Sequence, residues 1–305
     1  MTLTQDCTTL KDVVSYVKTA MKMAKILNLS TQKKMKLIDA IKRNYPNNSA
    51  GLEKYLALLP FGDADIVEIK RSDLVELQDV LTDNISNNSA RTYMAVVKSV
   101  ISKYGNGTNI SLPNVRSERS VSIFLTKEEL TRIDKLERLT NVQEYVRQQF
   151  LVCAYTACRI GDGERLDDFN LNNGILSYVS QKTKIRAQIP VSDKTVSMVR
   201  FCLNNHRKMT RAQYNESIKA ICRKAEINTP TKVFKGGIER AGEKWEFVSS
   251  HTARRSFATN LFLSGVDLVS IARMMGHTDT RTTERYICQS EIELNDNARN
   301  FLLNN

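Results

Sequence analysis

The sequence predicts a mainly α protein with a small antiparallel β-sheet, split into a helical N-terminal bundle and a larger α+β unit. Three observations carry the prediction. Apolar residues recur at helical spacing through most of the chain, and GILSYVSQKTKIRAQIPVS alternates as paired strands do. A run rich in Gly, Asn and Ser, without helical period, separates two periodic parts. At 305 residues and 41% apolar, the chain suits two domains with real cores and is not globally disordered. The expected divisions are 1–110 for the bundle, 111–125 for the linker and 126–305 for the α+β unit with a tail helix.

The bundle reads as helices throughout. TLKDVVSYVKTAMKMAKIL places Leu10, Val13, Val14, Val17, Met21, Ala24 and Leu27 on one face. STQKKMKLIDAIKRNY opens with a Ser-Thr cap and stops before Pro46. SDLVELQDVL follows, and then NNSARTYMAVVKSVISKY. This last helix sets Arg91, Lys98 and Lys103 beside an apolar face of Tyr93, Val96, Val97 and Val100. Such a basic face either meets solvent or lies on a phosphate backbone. The stretch 105–126, GNGTNISLPNVRSERSVSIFLT, carries the linker and a basic pair, Arg116 and Arg119.

TKEEL restarts a helix, with Thr126 as N-cap and Glu129 in the capping-box position. Further helices run through YVRQQFLVCAYTACRIGDGERLDDF, then two strands turn at QKTK. Helices return at 193–206 and 210–226, and 229–248 reads as a hairpin or loop insert around Gly236-Gly237. The stretch 251–287, HTARRSFATNLFLSGVDLVSIARMMGHTDTRTTERYI, reads as three short helices ended by Gly265 and Gly276, with Asp267 as a cap and the third at Thr282–Tyr286. SEIELNDNARNFLL closes the chain as an amphipathic helix.

Lys and Arg number 45 against 33 Asp and Glu, a net charge of +12 that favours a polyanionic partner. No apolar stretch approaches the ~20 residues that span a bilayer, and the N-terminus has no basic segment followed by an apolar run. A cytoplasmic protein without membrane partner is therefore expected. The six cysteines show no C-x-x-C spacing, so they read as reduced thiols, and no metal site is expected.

The last long stretch also carries polar groups at the ends of successive helices: His251 and Arg254 three apart on one face, then His277 after Gly276, then Tyr286. Singly, each is an ordinary surface or packing residue. In combination, SHTARRSFATNL and GHTDTRTTERY resemble the C-terminal half of the tyrosine recombinases, the phage-type integrases and Xer-type resolvases. Two upstream elements complete the resemblance. TACRIGDGERL is similar to the family's T-G-x-R-x-S-[ED]-x-x-x-L box, with Ala157 and Gly161 where Gly and Ser are usual. It supplies Arg159, with Arg165 as the alternative, and Asp162. QKTK is similar to the family's K-T-G hairpin turn and supplies Lys182, with Lys184 the alternative. The resemblance covers roughly residues 120–290; the N-terminal part matches only in character, as a helical core-site DNA-binding bundle.

The family implies cutting and rejoining of duplex DNA through a 3′-phosphotyrosine. Tyr286 is the implied nucleophile. His251 is the candidate base, because a phenol near pKa 10 is a poor nucleophile at neutrality. Arg159 and Arg254 pair with the non-bridging phosphate oxygens. Lys182 protonates the departing 5′-oxygen, and His277 binds a phosphate oxygen or positions Tyr286. Asp162 supports Arg159 or His251 from behind. No cofactor is implied, since the phosphotyrosine bond conserves the energy. Arg91, Lys98, Arg116, Arg119, Lys184 and Arg255 are the expected DNA contacts, closing two domains round the duplex. The resemblance further implies paired core sites, a homo-tetramer on DNA and exchange of the C-terminal tail between protomers. Integration or excision of a mobile element or phage is the expected role. A Xer-like resolvase or invertase, and a non-catalytic DNA-binding protein of the same fold, are the alternatives.

Overall fold

The computed structural model describes residues 14–15, 17–23, 35–105, 114–116, 121–235 and 238–288. The chain divides into two compact units, Met1–Glu118 and Arg119–Asn305, each with its own buried apolar cluster. Arg119, the Ser-Thr cap at 30–31 and the C-terminal tail lie outside the described residues.

In the first unit, residues 14–15 and 17–23 are helical and exposed. Helix α1 (Leu37–Asn44) buries Leu37, Ala40 and Ile41. Pro46, read as the end of that helix, is also the first residue of the next, α2 (Pro46–Leu56). The sequence reading missed α2 because Pro-Asn-Asn-Ser is turn chemistry. Yet proline's fixed φ suits a first helical turn, where its missing N–H costs nothing. Gly51 within α2 has a steric reason, since a Cβ there would collide with the Tyr93 hydroxyl. Helix α3 (Arg71–Asn84) follows, with the Asp73 carboxylate accepting from the Lys70 N–H at 2.8 Å. Helix α4 (Asn87–Tyr104) is capped by Ser86 and buries Ala90, Met94, Val96, Val97, Val100 and Ile101. Its other face leaves Arg91, Lys98 and Lys103 exposed, as the periodicity predicts. From the expected linker, Val115 packs into this unit's core while Arg116 is exposed.

The second unit is built round α6 (Asn141–Thr156). Before it, Val121 bridges to Phe234, and α5 (Lys127–Asp134) opens on the Thr126/Glu129 capping box read from the sequence. Helix α6 buries Tyr145, Val146, Phe150, Leu151 and Val152 and ends at Ala157, whose φ of 54° is left-handed. A single turn, α7 (Ile160–Gly163), leads to strands β1 (Leu171–Asn172), β2 (Ile175–Val179) and β3 (Arg186–Pro190), antiparallel in that order. Leu176 pairs with Ile189 and Tyr178 with Ala187, and these four alternate residues are the buried face. Helices α8 (Asp193–Asn204) and α9 (Arg211–Lys224) pack on α6. The 229–248 insert is a second sheet, the hairpin β4 (Pro230–Lys235) and β5 (Ile238–Glu243). This agrees with the hairpin expected there, although β5 is almost wholly exposed and shows no buried alternation, and Gly236 and Gly237 lie outside the described residues. Helix α10 (Ser250–Leu263) lies against α6, followed by α11 (Leu268–Met274) and α12 (Thr280–Glu284). The last helix starts two residues earlier than the sequence suggests, capped by Asp279, and Tyr286 lies just past its end. Among the described residues no helix is long and apolar enough to cross a membrane.

Candidate active site

The first turns of α10 place two of the singled-out side chains. Ser249 caps the helix through Thr252, and Asn215 on α9 accepts the Ser250 N–H at 2.9 Å. His251 therefore emerges at the surface, while Arg254, one turn on, points inward. Arg254 is only 1% exposed, which a charged side chain tolerates only with partners. It donates through Nη1 to the carbonyl of Ala157 and through Nη2 to that of Met275 at 2.6 Å. Both carbonyls stand at helix ends, where acceptors are left over. Its Nε–H, also buried, finds no partner among the described residues. Burial first, then the charge of Arg159, holds its pKa below the usual guanidinium value.

His277 follows the left-handed Gly276 (φ 63°) and is buried. Its Nε2 lies 2.8 Å from Arg254 Nη2, and its Nδ1 lies 2.9 Å from Thr283 Oγ1 on α12. A guanidinium only donates, so Nε2 accepts and the ring proton sits on Nδ1. Burial, then Arg254 and Arg159, push the pKa of His277 down to about 4. Tyr286 lies against this pair: its ring centroid is 5.3 Å from that of His277, with the planes tilted by 38°, and 5.4 Å from the Arg254 guanidinium carbon. Its backbone is pinned too, because its N–H donates to the Thr283 carbonyl at 2.8 Å and its carbonyl accepts from Thr259 Oγ1 at 3.2 Å.

Arg159 is the N-cap of α7 and donates to Ser180 Oγ at 2.7 Å. Ser180 in turn donates to the buried Asp162 at 3.1 Å, and Asp162 also accepts the Gln181 N–H at 2.9 Å. Asp162 thus ties the box to the start of the hairpin turn, 3.8 Å from Arg159 itself. Arg165 occupies the carboxylate's other oxygen at 3.1 Å and is largely exposed. On the turn, Thr183 donates to the Gly276 carbonyl at 3.1 Å, next to His277. Lys182 and Lys184 are both exposed, and no hydrogen bond or ion pair of either side chain is found among the described residues. Lys184 takes a φ of 58°, a left-handed conformation that glycine adopts more readily.

His251 keeps much of its surface open, yet its pKa is lowered by partial burial and then by Arg255, Arg211, Arg254 and Arg159. The structure therefore brings together Arg159, Asp162, His251, Arg254, His277 and Tyr286, and holds the Lys182 turn against the Gly276 carbonyl. Of the expected DNA contacts, Arg255 is half-buried beside His251; Arg91, Lys98, Arg116 and Lys184 are exposed. Ser180, Thr283 and Arg211 were not singled out from the sequence. Ser180 sits two residues before Lys182 and Thr283 three before Tyr286, but a lone hydroxyl in a polar run carries no local signal. No group of three or more His, Cys, Asp or Glu side chains able to hold a metal occurs among the described residues.

The model of the phage integrase family matches residues 124–292. A tyrosine recombinase XerD of Listeria monocytogenes serotype 4b (strain F2365) is 28% identical over 141 residues, 45% of this chain and 47% of that protein. The chain thus spans about half the length of that relative. A tyrosine recombinase XerD of Oceanobacillus iheyensis is 22% identical over 253 residues, 77% of this chain and 82% of the relative. Among solved structures, the XerH site-specific recombinase bound to palindromic difH substrate, in a post-cleavage complex, superposes with a TM-score of 0.59 at 19% identity, covering 82% of this chain and 75% of that one. At that identity the likeness speaks for the fold.

Proposed function

Because the chain belongs to the phage integrase family, we propose that it is a site-specific DNA recombinase that cuts and rejoins duplex DNA through a 3′-phosphotyrosine on Tyr286. The observation that carries this reading is the packing of the Tyr286 ring against His277 and the buried guanidinium of Arg254. A tyrosine kept only for packing needs no such neighbours.

The Tyr286 oxygen attacks the scissile phosphorus, its proton passing to His251, and the bond to the 5′-oxygen breaks. Partial burial, then the surrounding guanidiniums, favour neutral His251, as a base must be before it accepts. Arg159 and Arg254 stabilise the charge gathering on the non-bridging oxygens. The unpartnered Nε–H of Arg254 is a donor that a phosphate oxygen would satisfy. Lys182, exposed on its turn, delivers a proton to the leaving 5′-oxygen. The 5′-hydroxyl of another strand then reverses the step. His277 has both ring nitrogens engaged, which supports a positioning part over a direct phosphate bond.

The exposed Arg91 and Lys98, with Arg116, Lys184 and Arg255, are the proposed backbone contacts, and Arg119 joins them from the sequence alone. Residues 1–110 form the proposed core-site-binding part, and a homo-tetramer on paired core sites, linked by C-terminal tails, the working assembly. Integration or excision of a mobile element is the proposed role. The XerD names of the relatives favour a second reading, a resolvase with identical chemistry.

The test is a nicked suicide duplex carrying core sequences selected by the protein from a random pool. Wild type is expected to form a covalent protein–DNA adduct, and Tyr286→Phe to bind the duplex without forming one. An adduct that persists in Tyr286→Phe would remove Tyr286 as nucleophile.

A further inference from the structure

We propose that Thr283 is a positioning residue, accepting the Nδ1–H of His277 and so holding the ring where it braces Arg254 beneath Tyr286. The inference rests on the recombinase reading for its catalytic consequence and on geometry alone for the tautomer.

Thr283 is fully buried on α12, with Oγ1 2.9 Å from His277 Nδ1. On the far side of the ring, Nε2 faces Arg254 Nη2 at 2.8 Å. A neutral imidazole carries one N–H and one lone pair. With the proton on Nδ1, Thr283 Oγ1 receives it and the Nε2 lone pair receives Arg254. With the proton on Nε2, two donors would oppose each other in a buried place, and the guanidinium would lose an acceptor it has no water to replace. Arg254, which only donates, therefore sets the tautomer, and the Thr283 hydroxyl gives the Nδ1–H of that tautomer the acceptor it needs in a buried place, fixing the ring against Arg254. The same residue's carbonyl accepts the Tyr286 N–H at 2.8 Å, so one position governs both the arginine and the nucleophile's backbone. Valine at 283 keeps the shape and removes only the hydroxyl; serine keeps the hydroxyl and drops a methyl.

Nitrogen-15 spectra of histidine-labelled protein report which ring nitrogen is protonated, and with three histidines the His277 signals are assigned by their loss in His277→Gln. The expected result is a protonated Nδ1 in wild type and in Thr283→Ser, and in Thr283→Val an Nδ1–H whose signal moves upfield and broadens for want of its acceptor. On the suicide duplex, Thr283→Val is expected to form adduct about tenfold to a hundredfold more slowly, with DNA affinity within about twofold of wild type. Thr283→Ser is expected to restore the rate. A proton on Nε2 in wild type, a wild-type rate in Thr283→Val, or a Thr283→Ser protein as slow as the valine variant would each overturn the proposal. Should Thr283→Val not fold, the wild-type and serine spectra decide the matter. If wild type forms no adduct at all, the recombinase reading fails while the tautomer is still read directly.

Discussion

Lys182 and Lys184 stand two residues apart on one exposed turn, and only their chemistry can separate them. A general acid matters in proportion to the basicity of the leaving group. Replacing the bridging 5′-oxygen of the scissile phosphate by sulfur makes the leaving group a thiolate, which needs no proton. Lys182→Ala is therefore expected to slow adduct formation on the ordinary duplex and to recover on the sulfur-bridged one, measured in single-turnover reactions. Recovery confined to Lys184→Ala would move the role to that residue. His277 makes a separate prediction about stability. Its pKa is about 4 in the folded chain, against the ordinary 6.5. Between those values the unfolded chain binds a proton that the folded chain does not. The folded state is thus favoured in full above pH 6.5 and loses that advantage as pH falls toward 4. His251, shifted in the same direction, adds to the slope. The Tm is expected to drop across this window and to drop less in His277→Gln; equal slopes in the two proteins would contradict the assignment.

Among elements, the hairpin turn shows how a motif and its exceptions have one cause. The sequence departs from the family pattern at Ala157 and Lys184, where glycine is usual, and both residues have positive φ, 54° and 58°. Left-handed backbone costs a residue with a Cβ about 1–2 kcal/mol, part of which glycine returns through its looser unfolded state. Lys184→Gly is accordingly expected to raise the Tm by a few degrees, on the order of 1 kcal/mol, read by thermal melting; a lowered Tm would mean that the Lys184 side chain stabilises the turn. These positions also show what a sequence conveys about elements. Caps at Thr126 and Asp267 were legible because their chemistry is local, and the α4 face because its period is long. Helix α2 was hidden by turn-type residues whose helical fate depends on tertiary packing, including Tyr93 over Gly51. In the site, charged and aromatic residues were legible through the resemblance of their motifs to those of the family. Ser180 and Thr283 were not, since their meaning lies in what faces them across other elements.

For the molecule as a whole, the net charge of +12 sets the character of DNA binding. If phosphate contacts dominate affinity, binding falls steeply with salt as counterions are released and recaptured. Affinity for a core-site duplex is expected to fall by about a thousandfold or more between 50 and 200 mM salt, as measured by titration. A nearly flat response would mean that the basic excess serves something other than the backbone. The composition also foretold that two cores could exist, and each unit has one, anchored by Leu77 and Leu81 in the first and by Phe150 and Leu176 in the second. Arg254 belongs to neither kind of anchor. A buried cation with one N–H unanswered is a weak point in a fold, and an apolar residue of its size would often make the protein sturdier. Under selection for durability alone the position would drift to methionine or leucine. Its guanidinium marks the place where this lineage accepts fragility in exchange for reactivity, so thermostable variants that keep their activity must find their gains elsewhere in the chain.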